Sequence, residues 1–326
     1  MGLIQEDTFP RLVGDVGGTN ARFAWQGSAG SALSDIDTLP CAAFPSLTDA
    51  IRHYLGKHAK QAPRWCAIGI ANPVTGDHVQ MTNHDWSFSI SAVQAQLGLT
   101  RFLVINDFTA LALSLPVLAA GDVRQVGGGH AVAGAPLGLI GPGTGLGVSG
   151  LLPEMSGHGA IPINGEGGHV TLAATNEREE QVIAVLRRRF GHASAERAVS
   201  GPGLVNIYAA LFELAGETAP SLTPQEVTER ALSGADARCV EAVDLFFSFL
   251  GTVAGNLALS LGARGGMYIG GGVVPRMGEQ IDRSRFRESF ECKGRFRAYL
   301  QEIPIYVVQA SMSPALVGAA RALEDL

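Results

Sequence analysis

The order of apolar and polar residues along the chain switches repeatedly between a period of two and a period near 3.6, the signature of strands alternating with helices. Arg11–Val16 and Ala21–Trp25 are short β-rich runs separated by Gly17-Gly18-Thr19-Asn20, which predicts a hairpin. Ser46–His58 predicts an amphipathic helix with Ser46 as N-cap, Trp65–Ile70 a buried strand, Ile90–Leu97 a helix and Phe102–Ile105 a further strand. Phe108–Leu115 predicts a helix that stops before Pro116, and Leu137–Gly141 and Gly147–Leu152 flank a second glycine-rich turn. Helices follow at Glu177–Phe190, Leu204–Leu214 and Ala237–Ala263, then a strand at Met267–Ile269, a helix after Pro275 and a last strand at Ile305–Gln309. Such alternation implies an α/β protein whose sheets are covered by helices.

The pattern contains an echo. Gly14–Thr19 (GDVGGT) and Gly141–Gly145 (GPGTG) are both strand, Gly/Thr turn, strand, one in each part of the chain. Two similar halves gripping one ligand would produce it, although glycine-rich hairpins are common and do not establish a duplication. A domain boundary is expected near Pro116–Asp122, without a low-complexity linker.

A length of 326 residues accommodates two or three domains, and 46% hydrophobic residues with 17% charged ones exclude disorder as the main state. The formal net charge of −6 argues against nucleic acid as a partner, because no basic run exceeds Arg187-Arg188-Arg189, which reads as a solvated helix face. Cys41, Cys66, Cys239 and Cys292 form no C-x-x-C pair, which points to a reducing, cytoplasmic setting and away from structural zinc. The first residues, MGLIQEDTFP, lack the apolar core of a signal peptide. Leu245–Ala263 is uncharged and close to the ~20 residues that cross a bilayer. Its Ser248, Thr252, Asn256 and Ser260, with three glycines, favour a buried core helix instead, so no membrane association is expected.

Glycine changes the picture most: 42 of them, about twice the usual ~7%, cluster at a few turns. A polyphosphate needs several backbone N–H donors at close range, which a Cβ would obstruct. Gly14, Asp15, Val16, Gly17, Gly18 and Thr19, and Gly141, Gly143, Thr144 and Gly145, suit that task, each turn adding a threonine hydroxyl. Asp15, at the end of the first strand, can hold Mg2+ directly or through water. A Walker A loop is excluded because no Lys lies in these turns. Gly145-x-Gly147-x-x-Gly150 has dinucleotide spacing, yet Pro153, Gly157, Gly159 and Pro162 prevent the helix that motif should open. Gly270, Gly271 and Gly272 end a strand and suit a flat ring against bare backbone, such as adenine. Plain hairpin and junction glycines remain the alternative for each cluster.

Asn106-Asp107 follows an apolar strand and opens a helix, the address at which α/β sheets bind ligands. Asp107 is equally readable as an N-cap. Glu166 and His169, three apart in a glycine loop, can bind adjacent hydroxyls, whereas Glu196 reads as a surface partner of Arg197 or as a third ligand.

These segments, LVGDVGGTNARF, MTNHDWSFSI, INDFTALAL, GPGTGLGV, INGEGGHV, SAERAVSGPGLVN and GGMYIGGGVVPR, resemble in identity and order those of the bacterial glucokinase family, from about Leu12 to Gly318. The resemblance implies a two-domain actin-like ATPase (ribonuclease H-like) fold. A cleft would separate a small domain (1–116 plus 311–326) from a large one (117–310). It also implies a cytoplasmic homodimer that transfers the γ-phosphoryl of ATP to the 6-hydroxyl of glucose with Mg2+. By resemblance Asp107 is the catalytic base; Asn106, Asp107, Glu166, His169 and Glu196 bind glucose; and the three glycine clusters bind ATP. The Cys-rich zinc motif of the broader ROK group is missing from the sequence. A kinase for another hexose, or a sugar-sensing or filament-forming ATP binder, are the competing readings.

Overall fold

In the computed structural model, which describes residues 8–154 and 159–324, the chain divides into two units. The first comprises residues 8–118, 159–164 and 310–324; the second comprises 119–154 and 165–309. In chain order the first unit contains β1 (Arg11–Val16), β2 (Asn20–Gln26), β3 (Ser34–Pro40), α1 (Leu47–Lys57) and β4 (Trp65–Ile70). It continues with the small hairpin β5 (His78–Gln80) and β6 (Ser87–Ser89), then α2 (Ile90–Leu97), β7 (Arg101–Asn106) and α3 (Asp107–Ser114). The second unit opens with β8 (Val123–Val126), β9 (Leu137–Pro142) and β10 (Leu146–Leu152), after which β11 (Ile161–Asn164) belongs to the first. Then come α4 (Glu177–Phe190), α5 (Gly201–Leu214), α6 (Pro224–Leu232), α7 (Ala237–Leu261) and β12 (Gly266–Ile269). Short helices α8 (Val273–Arg276), α9 (Gln280–Arg283), α10 (Phe286–Glu291) and α11 (Arg297–Gln301) precede β13 (Ile305–Val308), and α12 (Pro314–Ala322) returns to the first unit.

The first sheet runs β3-β2-β1-β4-β7, antiparallel from β3 to β1 and parallel from β1 to β7. Successive side chains on a strand point to opposite faces, so the sheet builds two cores. Leu12, Phe23, Cys66 and Ile68 pack with Ile51 and Tyr54 of α1, while Val13, Ala24 and Ala67 pack with Leu316 and Ala319 of α12. The register aligns Val16, Ile70 and Asn106 across β1, β4 and β7. The hairpin turn after β1 and the Asn106-Asp107 junction therefore lie at the same carboxyl edge, two strand spacings of ~4.8 Å apart.

In the second unit β9 is antiparallel to β10 and parallel to β12, which is parallel to β13. This repeats the relation among β1, β2, β4 and β7, so the sequence echo corresponds to two like-connected sheets. The apolar stretch singled out above forms most of α7, whose Phe246, Phe247, Phe249 and Leu250 are fully buried against α5, α6 and α10.

One expectation is corrected here. The helix expected after Pro275 starts before it and ends at Arg276; Gly278 at φ +58° interrupts it, and α9 and α10 follow as separate short pieces. The two units divide at 118/119 and 309/310, and β11 belongs to the first. Helices α6, α11 and α12 and strands β3, β5, β6, β8 and β11 were not anticipated.

Candidate active site

The turn between β1 and β2 is closed by the Gly17 N–H donating to the Asn20 carbonyl at 2.9 Å. Among the described residues the N–H groups of Gly18 and Thr19 have no acceptor, and the Thr19 side chain is exposed. Asp15, one residue before the end of β1, accepts from Ser313 Oγ at 2.7 Å and from Arg22 Nη1 at 3.2 Å. Both bonds fall on Oδ2.

At the end of β7 the cap of α3 is Asn106, not Asp107. Asn106 Oδ1 accepts from the Phe108 and Thr109 N–H groups at 2.9 and 3.3 Å, and its Nδ2 donates to the Asn72 carbonyl at 3.4 Å. Capping thus commits the Asn106 oxygen and leaves its amide N–H as the group able to meet a ligand. Asp107 occupies the first helical position, with Oδ1 also accepting from Phe108 N–H at 2.9 Å. Burial, followed by the nearby negative charge of Asp15, pushes its carboxyl up to about 6 against the Phe108 hydrogen bond. A carboxylate so tuned is ionised at neutral pH yet basic enough to take a proton.

The second unit gathers the remaining candidates. Between β9 and β10 the Gly143 N–H donates to the Gly145 carbonyl at 2.8 Å, leaving the Thr144 and Gly145 N–H groups without acceptors among the described residues. Glu196 does not pair with Arg197, whose guanidinium instead lies 4.2 Å from the centroid of the Phe190 ring. Its Oε2 accepts from the Leu146 N–H at 3.0 Å, tying it to the end of the β9–β10 turn. A Cβ on Gly145 would lie 2.5 Å from that oxygen, which explains glycine there. Glu166 and His169 are exposed on a single helical turn closed by the His169 N–H to the Glu166 carbonyl, 3.0 Å. The Ala195 N–H donates to the Val170 carbonyl at 2.8 Å and so fastens this turn beside Glu196.

Just past the end of β12 the Gly270 N–H donates to the Ile140 carbonyl of β9 at 2.8 Å, which sets the third glycine cluster against the strand that leads into the β9–β10 turn. The Gly201 N–H, first in α5, donates to the Gly143 carbonyl at 2.8 Å. A cavity of ≈ 570 Å3 opens between Gly201 and Leu204 of α5, Pro224 and Thr228 of α6, and Val273 and Arg276 of α8. Its lining mixes apolar Leu204, Pro224, Leu232 and Val273 with polar Gln225, Thr228, Glu229 and Arg276, which offers both a face and hydrogen-bonding edges to a planar heterocycle.

A family model described as Glucokinase matches residues 12–326. The chain belongs to the glucokinase family. It is 55% identical to a glucokinase of Aromatoleum aromaticum over 98% of this chain and 96% of that one. It is 52% identical to a glucokinase of Chromobacterium violaceum over 98% and 90% of the two chains. Among solved structures, a glucokinase from an Antarctic psychrotroph superimposes with a TM-score of 0.88 at 34% identity, covering 97% of this chain and 99% of that one.

The sequence reading missed several groups that this member of the glucokinase family places at the candidate site. Ser313 was missed because its partner, Asp15, is 298 positions away. The α6 wall of the cavity was missed because its helix is largely polar, although Thr223 and Glu226 form a reciprocal capping box with Pro224 at the first turn. That motif was readable.

Proposed function

We propose that the chain transfers the γ-phosphoryl of ATP to the 6-hydroxyl of glucose, with Asp107 as general base. Membership in the glucokinase family supports the reaction, and the observation that carries the residue assignment is the raised carboxyl of Asp107 at the sheet edge it shares with the β1–β2 turn. Asp107 accepts the 6-hydroxyl proton as the sugar oxygen bonds to the γ-phosphorus; the bond to the bridging oxygen breaks and ADP leaves with its electron pair. The free N–H groups of Gly18, Thr19, Thr144 and Gly145 receive phosphate oxygens, and the cavity beside Gly270–Gly272 receives the adenine. Glu166, His169, Glu196 and the Asn106 amide orient the ring, where each sugar hydroxyl left unpaired costs ~1–3 kcal/mol.

Asp15 fits a Mg2+ ion: it is a hard oxygen donor, and Oδ1 has no hydrogen-bond partner among the described residues. No three His, Cys, Asp or Glu side chains cluster among those residues, so nucleotide phosphates and water would supply the other ligands. When bound, the ion neutralises charge on the β- and γ-oxygens. The reading includes an actin-like, ribonuclease H-like pair of domains closing a cleft over both substrates, and a homodimer. Cytoplasmic placement is supported by Cys41, Cys66 and Cys239 being free and buried.

The test is a coupled assay of the purified chain with ATP, Mg2+ and a panel of hexoses. Glucose 6-phosphate formed with glucose favoured over mannose and fructose is the expected outcome; equal or faster turnover of another hexose would replace the substrate.

A further inference from the structure

We infer that Ser313 is a positioning residue for the phosphate hairpin, its hydroxyl holding Asp15 through Oδ2 so that Oδ1 stays available to the divalent cation that accompanies the nucleotide. The inference rests on the reading of Asp15 given above. Ser313 occupies the N-cap of α12, where a serine ordinarily turns its hydroxyl to the helix's own first N–H groups. Here it makes no such bond, and Pro314 follows at the first turn. The hydroxyl donates instead to Asp15 Oδ2 at 2.7 Å. Arg22 Nη1 reaches the same oxygen at 3.2 Å from a side chain 43% exposed, so solvent screens that contact far more.

The consequence is directional. A carboxylate on the end of a strand rotates about χ2 unless one oxygen is fixed, and a rotating carboxylate loses entropy when it binds a cation. With Oδ2 occupied, the free lone pairs are those of Oδ1. The anchor comes from a helix that packs on β1 and β4 through Leu316 and Ala319, which ties the hydroxyl to the sheet that carries Asp15.

Calorimetric titration of the full chain with ADP across a series of Mg2+ concentrations tests this without turnover. Ser313→Ala is expected to weaken the Mg2+-dependent part of ADP binding roughly three- to tenfold. Metal-free ADP binding and glucose binding should stay unchanged, and Ser313→Thr, which keeps the donor, should restore the wild-type dependence. Asp15→Asn separates the levels of the argument. If it alters the Mg2+ dependence and Ser313→Ala does not, the positioning role is overturned. If Asp15→Asn itself leaves the dependence unchanged, the cation reading of Asp15 fails and the inference with it. Equal loss of glucose, metal-free and metal-dependent binding in Ser313→Ala would mark Ser313 as a support of the fold only.

Discussion

Asp107 is held between opposing influences: removal from water raises its carboxyl, Asp15 adds to that, and the Phe108 N–H pulls it back, leaving it at about 6. If it is the base, kcat/KM for glucose should fall about tenfold per pH unit below that value and level off above it. Initial rates at subsaturating glucose from about pH 5 to 8 measure this, and a flat profile down to pH 5 would contradict it. Glu196 carries a second residue-scale prediction. Because its Oε2 holds the Leu146 N–H beside the Thr144–Gly145 turn, Glu196→Ala should raise KM for both glucose and ATP several-fold, whereas a sugar ligand alone would move only the first. The sequence put Glu196 among the candidates but not its partner, since a contact across 50 positions leaves no local periodicity to read.

At the scale of elements, the parts that formed as expected are those whose local signals agree. The GGTN turn between two apolar runs gave the β1–β2 hairpin, and Ser46 caps α1 by accepting from the Asp49 N–H. Where local signals conflict with packing, the pattern misleads. β3 has one buried side chain, Leu39, so its polar run carries no strand period, and α12 is apolar and short enough to pass for loop. α12 is nonetheless decisive for the first unit: a Cβ on Gly318 would fall far inside van der Waals contact distance of the Ala110 carbonyl oxygen in α3. Gly318→Ala should therefore force the helices apart and destabilise the chain by about 1–3 kcal/mol, read as a lower Tm. An unchanged Tm would mean that α12 does not pack on α3 this closely.

For the molecule as a whole, the base is a stability liability. A carboxyl raised from its ordinary 3.8 to about 6 binds its proton more tightly in the folded chain than in the unfolded one. On its account stability grows as pH falls from about 7 towards 4, and at neutral pH it costs about 3 kcal/mol. Asp107→Asn keeps the oxygen that accepts from Phe108 and removes the charge. It should melt above wild type near pH 7.5, with the difference vanishing near pH 4; a lower Tm at both would show that burial is not what shifts the group. The repeated Gly/Thr turns suggested two similar halves without establishing them, and the place of residues 159–164 in the first unit was not legible, because it rests on packing such as the Thr109 hydroxyl on Asn164 Oδ1, 2.6 Å.

The role of Asp107 as general base is tested by the rate of glucose 6-phosphate formation by Asp107→Asn, with glucose binding measured on the same preparation. Loss of a general base predicts a kcat lower by about 10²–10⁴ with glucose affinity nearly unchanged. A kcat within a few fold of wild type would remove Asp107 from the chemistry.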